Sequence, residues 1–86
     1  MNFHEKIVLV TGGTGGLGRE VSMAFLDAGA TLAVTFQHAE EFDALAAAAK
    51  RAGAAPPEGA SVDVTDAQAV EKYIAEIVAK HGRLDV

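Results

Sequence analysis

Thr11-Gly-Gly-Thr-Gly-Gly-Leu-Gly18 puts five glycines into eight residues, between the apolar run Ile7-Val-Leu-Val10 and an amphipathic pattern that starts at Leu17. Glycine takes positive φ without a Cβ clash, so such a cluster folds tightly and lets a ligand approach bare backbone. A helix start leaves its first N–H groups unpaired and carries about half a positive charge, so strand, glycine turn and helix together make an anion site. The anion this arrangement suits is a dinucleotide pyrophosphate. The glycines read in three registers. Gly13, Gly15 and Gly18 fit G-x-G-x-x-G; Thr11, Gly12, Gly16 and Gly18 fit T-G-x-x-x-G-x-G; Thr11, Gly12, Gly15 and Gly18 fit T-G-x-x-G-x-x-G. Each pattern is weak alone, with a ligand-free glycine turn as the bland alternative, and takes its meaning from the flanking strand and helix. A P-loop fails on chemistry. Gly13 and Gly18 have the right separation, yet Arg19 and Glu20 stand where Lys and Ser/Thr must hold phosphate and magnesium.

Outward from the turn, Lys6 to Val10 is too short for a helix and too apolar for a half-exposed strand, which predicts a strand buried on both faces of a parallel sheet. Leu17, Val21, Ala24, Phe25 and Ala28 share one helical face, and Gly29 supplies the stop. Thr31 to Phe36 is a second strand, joined to the first in a βαβ unit. Ala39 to Ala52 reads as a helix with Phe42, Leu45, Ala46 and Ala49 inward, Glu40 and Glu41 at its start, and Lys50 and Arg51 at its end, as the helix dipole favours. Gly53 to Gly59 contains Pro56 and Pro57 and makes a loop. Ala60 to Val64 follows as a third strand. Thr65-Asp-Ala-Gln68 is a capping box, and Val70, Tyr73, Ile74, Ile77 and Val78 mark the inner face of a third helix ended by His81-Gly82. Leu84-Asp-Val86 begins another apolar strand. The fold class is therefore α/β, β-α-β-α-β-α with parallel strand order 3-2-1 and a stub of strand 4, half of a doubly wound sheet.

Composition narrows the partners. Eighty-six residues allow one domain at most, and a chain of this size buries only about 60 to 65% of its unfolded surface, so stability is marginal. Half the residues are hydrophobic, which marks a globular chain. Seven basic against twelve acidic residues leave a net charge of -5, which argues against nucleic acid but not against a pyrophosphate held by backbone amides. There is no cysteine, so disulfides and thiolate metal sites are out and the reducing cytoplasm is the default compartment. His4, His38 and His81 are scattered and read as surface residues, so no metal site is expected. Met1 to Lys6 precedes only a short apolar run and reads as neither a signal peptide nor a membrane span.

Over its whole length the sequence resembles the classical short-chain dehydrogenase/reductase family, whose fold is a Rossmann fold. Thr11 to Gly18 is similar to that family's Thr-Gly-x-x-x-Gly-x-Gly turn, Asp63-Val64 to its adenine-contacting pair, and His81-Gly-Arg-Leu-Asp-Val86 to its lead into the fourth strand. The resemblance implies that Thr11, Gly12, Thr14, Gly15, Gly16, Leu17 and Gly18 form the cofactor turn. In it the backbone of Gly12, Thr14, Gly16 and Leu17 faces pyrophosphate and adenine ribose, and Gly18 lets the helix pack close. It also implies that Asp63 accepts from the adenine amino group with Val64 beside the ring; the local alternative is a strand-end acid serving the next turn. Residues 1–86 would then be an N-terminal NAD(P)-binding half-domain that stops at the start of strand 4.

Cofactor choice rests on the end of the second strand. An NAD site of this type places an acid roughly 20 residues past the glycines, and an NADP site a base. Here Phe36, Gln37 and His38 stand there, and Gly15 occupies a place where NADP-using relatives often carry a basic residue. The balance favours NAD, or a site that discriminates poorly. The family's catalytic Ser and Tyr-x-x-x-Lys have no counterpart, because the single tyrosine, Tyr73, is followed four residues on by Ile77 and lies on an apolar helical face. No catalytic residue is assigned. The expected function is the dinucleotide-binding half of an alcohol/carbonyl oxidoreductase. The alternative is a structural module with vestigial ligand binding that self-associates through the exposed strand 1 edge.

Overall fold

The structure is a computed structural model that describes residues 4–86; Met1 to Phe3, part of the segment read for targeting, lie outside the described residues. The order is β1 (Ile7–Val10), α1 (Gly16–Asp27), β2 (Thr31–Phe36), α2 (Ala39–Arg51), β3 (Glu58–Ser61) and α3 (Ala67–His81). The strands form one parallel sheet in the order β1-β2-β3, as the alternation of short apolar runs and amphipathic stretches predicts.

The period-2 alternation of the strands sorts the core into two layers. Val8, Leu32 and Val34 pack with Leu26, Leu45 and Ala49 under α1 and α2, while Ile7 and Ala33 pack with Tyr73 and Ile77 under α3. Leu32, Leu45, Val8 and Val34 are among the largest fully buried side chains, each contributing about 1.5–3 kcal/mol on burial.

The inner face of α1 differs from the expected one. Leu17 is 76% and Val21 38% exposed, whereas Ser22 and Leu26 are buried. The cause lies at Gly18, where a Cβ would stand 2.1 Å from the Gly12 carbonyl oxygen. The helix therefore sits directly on the glycine turn through Gly18, Ser22 and Leu26, a stripe at i, i+4 and i+8 that a count of apolar residues overlooks.

β3 also lies earlier than the expected Ala60 to Val64. It pairs with β2 from Ala33↔Glu58 to Phe36↔Ser61, and pairing stops there because β2 itself ends at Phe36. Asp63 and Val64 consequently lie beyond the sheet. The predicted capping box is replaced by a one-residue-later cap: the Asp66 carboxylate accepts from the amides of Gln68 (3.1 Å) and Ala69 (3.2 Å). Thr65 is diverted, since its hydroxyl and its amide both donate to Asp63 Oδ1, at 2.7 and 2.9 Å. On the inner face of α3, Tyr73 and Ile77 are buried but Val78 is 40% exposed. His81 is not a free surface residue, because its ring lies 2.7 Å from Glu58.

The terminal residues dock on the open side of β1. The Leu9 amide donates to the Val86 carbonyl (2.9 Å), and the amides of Val86 and Asp85 donate to the Ile7 carbonyl (3.2 and 2.8 Å). Val86 and Val8 are thereby bridged in parallel, and the Asp85 carboxylate takes the Ile7 amide at 2.8 Å. This is the expected start of a fourth strand, beside β1 and opposite β2.

Candidate functional site

The carboxyl ends of β1, β2 and β3 open on a cleft of about 170 Å³ lined by Gly12, Thr14, Gly15, Thr35, Phe36, Gln37, His38, Glu41, Val62 and Val64. Ligands of open parallel sheets bind at this end of the strands. Two hydrogen bonds hold the glycine turn over it. The Gly12 amide donates to Thr35 Oγ1 (2.8 Å), and the Ser22 hydroxyl donates to the Gly13 carbonyl (2.8 Å). Thr14 is 5% exposed, so the turn is anchored on β2, on α1 and by its own side chain.

The start of α1 is bare. Gly15 is its N-cap and makes no side-chain cap, the first turn has no acid, and the first helical bond is Arg19 N–H to the Gly15 carbonyl at 3.2 Å. The amides of Gly16, Leu17 and Gly18 thus precede the hydrogen-bonded ladder. Gly16 adopts φ +43°, and a Cβ there would meet nothing within 4 Å. Open space, amides outside the helical ladder and the positive end of a helix fit a phosphate group.

Of the residues singled out in the sequence, Gly12, Thr14, Gly15, Phe36, Gln37 and Val64 line the cleft. Thr11, Gly16, Leu17, Gly18 and Asp63 do not, Gly16 and Leu17 standing at the α1 mouth and Gly18 against the turn. Phe36 is stacked on Phe42 of α2, with centroids 4.9 Å apart. Asp63 serves the local turn through Oδ1, and the Thr65 hydroxyl, then its amide, holds the carboxyl below the usual carboxylate range. Thr35, Glu41 and Val62 were missed, while His38, named in the sequence beside Gln37 at the end of β2, lines the cleft as well. Period-2 counting from Thr31 puts Thr35 on the same face as Ala33, and Glu41 reads in sequence as a plain first-turn acid. Tyr73 sits in the α3 layer, where burial and then the nearby Glu58 and Glu76 push its hydroxyl up to about 12. It is packing, and it is not among the residues that line the cleft.

Comparison with known proteins decides the family. The profile described as short chain dehydrogenase matches residues 6–86. The chain belongs to the short-chain dehydrogenase family. It is 42% identical over 84 residues to a 3beta-hydroxysteroid dehydrogenase of Mediterraneibacter gnavus, covering 98% of this chain and 30% of that protein. The apo form of a Caenorhabditis elegans glucose dehydrogenase superposes with a TM-score of 0.88 at 28% identity, over 99% of this chain and 37% of that one. A metagenomic short-chain oxidoreductase in complex with NADP gives a TM-score of 0.88 at 25% identity, over 98% and 38%. The chain thus spans about a third of the length of these short-chain dehydrogenases. The part it matches is their NAD(P)-binding N-terminal region, with the Rossmann-type sheet described above. No helix among the described residues is long and apolar enough to cross a membrane.

Proposed function

We propose that residues 1–86 are a half-domain that holds the adenine and diphosphate side of NAD in an alcohol/carbonyl oxidoreductase. The observation that carries this is the uncapped α1 mouth beside a cleft at the carboxyl edge of the sheet. The backbone of Gly12, Thr14, Gly15, Gly16 and Leu17 holds the diphosphate and adenine ribose, with Thr11 and Gly18 shaping the turn. Phe36, Gln37 and Val64 flank the adenosine, and Asp63 turns its second carboxylate oxygen to the adenine amino group. When bound, the cofactor supplies a nicotinamide that accepts or donates hydride. These residues bind and orient it, and they contain no Tyr-x-x-x-Lys pair to move the alcohol proton. NAD rather than NADP is favoured because no Lys or Arg lines the cleft. The absence of cysteine supports a reducing cytoplasmic setting.

Isothermal titration of the chain with NADH, NADPH and ADP-ribose tests the reading. Weak, saturable binding is expected, because the remaining contacts must offset the cost of association. No heat at millimolar ligand would overturn it. Self-association is a second reading: β1 lies at one side of the three-stranded sheet, where residues 85 and 86 bond it at Ile7 and Leu9, and a strand edge of this kind recruits further strands. Light scattering that gives a clean monomer at high micromolar concentration removes it.

A further inference from the structure

We propose that Glu41, in the first turn of α2, is the residue that reads the adenine ribose and rejects a 2′-phosphate; this rests on the dinucleotide reading above. The sequence places cofactor choice at residues 36–38, yet the cleft draws in a residue from the next element. Glu41 lines it together with Gly12, Gly15 and Gln37, and its Oε2 lies 3.1 Å from where a Gly15 Cβ would stand. The carboxylate therefore hangs over the glycine turn. Its neighbour Glu40 in the same helical turn is exposed and lines no part of the cleft.

Three further observations fix the chemistry. Among the described residues no hydrogen bond or ion pair engages the Glu41 carboxylate. None of the seven Lys and Arg side chains lines the cleft, and the basic group that does, His38, makes no ion pair with Glu41. The lining also holds the Phe36 ring, stacked on Phe42, and the side chains of Val62 and Val64, which take a flat apolar base. An ionised carboxylate only accepts hydrogen bonds, and adenosine donates through the adenine amino group, given above to Asp63, and through the ribose diol, which is left for Glu41. A phosphate at the 2′ position replaces a donor by a dianion and sets like charges against each other.

The test uses the 86-residue chain with two probes lacking nicotinamide, ADP-ribose and its 2′-phosphorylated counterpart, titrated into the unsubstituted protein, Glu41→Gln and Glu40→Gln, each checked by circular dichroism. The unsubstituted protein is expected to bind ADP-ribose about tenfold more tightly than the phosphorylated probe, the scale of a half-exposed charge repulsion. Glu41→Gln brings the two within about threefold, while Glu40→Gln keeps the full preference. Equal binding of both probes by the unsubstituted protein, or an unchanged ratio in Glu41→Gln, overturns the assignment and leaves the dinucleotide reading standing. Binding of neither probe by the unsubstituted protein overturns the dinucleotide reading and the assignment with it.

Discussion

α1 and α3 both start just beyond the carboxyl ends of parallel strands, and they are finished in opposite ways. α3 has Asp66 bonded to two of its first amides, Lys80 and His81 in its last turn, and the left-handed Gly82 as its C-cap. Each device stabilises a helix by satisfying an end or complementing its dipole. α1 has no side-chain N-cap, no acid in its first turn and no base in its last. Its stability comes from contact instead, through Gly18, Ser22 and Leu26 set against the turn and the sheet. The first amides of α3 are thus met by a side chain of the chain itself, and those of α1 are not. α2 stands between the two, without a side-chain cap but with Glu40 and Glu41 in its first turn.

The contrast breaks most severely at Gly18. Gly18→Val drives a branched side chain into the Gly12 carbonyl, and urea denaturation should show a loss of about 3 kcal/mol or an unfolded circular dichroism spectrum. Asp66→Ala at the other mouth should cost about 1 kcal/mol and leave dinucleotide affinity unchanged, since it removes a cap and nothing near the cleft. If Gly18→Val is no worse than Asp66→Ala, α1 is not held by close approach.

The far end of α3 gives a smaller, pH-dependent effect. Burial raises the Glu58 carboxyl, but the hydrogen bonds from Lys80 and His81 outweigh it and leave it below its ordinary 4.5. A depressed folded value stabilises the fold above the unfolded one and stops doing so as pH falls through the folded one. Stability should therefore drop below pH 4.5, and Glu58→Gln should flatten that limb in acid titrations followed by circular dichroism. The slightest change in stability belongs to Gly15→Ser. With φ -108° and ψ 146°, Gly15 already has N-cap geometry, so serine should add a few tenths of a kcal/mol once the Glu41 carboxylate, 3.1 Å from the new Cβ, swings aside. The same hydroxyl competes for the α1 amides, and NADH should bind about tenfold more weakly. A variant that gains stability and keeps its affinity would show that the α1 mouth is not where the diphosphate lies.

The alternation of short apolar runs with helical patterns carried the strand order, because Ile7 to Val10 and Thr31 to Phe36 are too apolar to be anything but buried strands. α2 was legible to within a residue, since Leu45 and Ala49 form a clean apolar stripe. The inner face of α1 was not, because its contact residues are Gly18 and Ser22, whose smallness and hydroxyl carry no hydropathy signal. β3 was misplaced toward Val64, since its limit is set by the length of β2, a non-local fact. The glycine turn was legible as a tight turn between strand and helix, whereas the approach of Thr35 and Glu41 was not, as both reach it from distant positions in the chain.

The Asp85 carboxylate on the Ile7 amide fixes the alignment of the terminal segment against β1. Parallel pairing repeats every two residues, so a slide of that length preserves the backbone ladder and is resisted only by side chains. A slide that brought residue 83 opposite the Ile7 amide would present Arg83, which has no acceptor to offer. One aspartate thus acts as a key that admits a single alignment at the side of the sheet where the next strand begins.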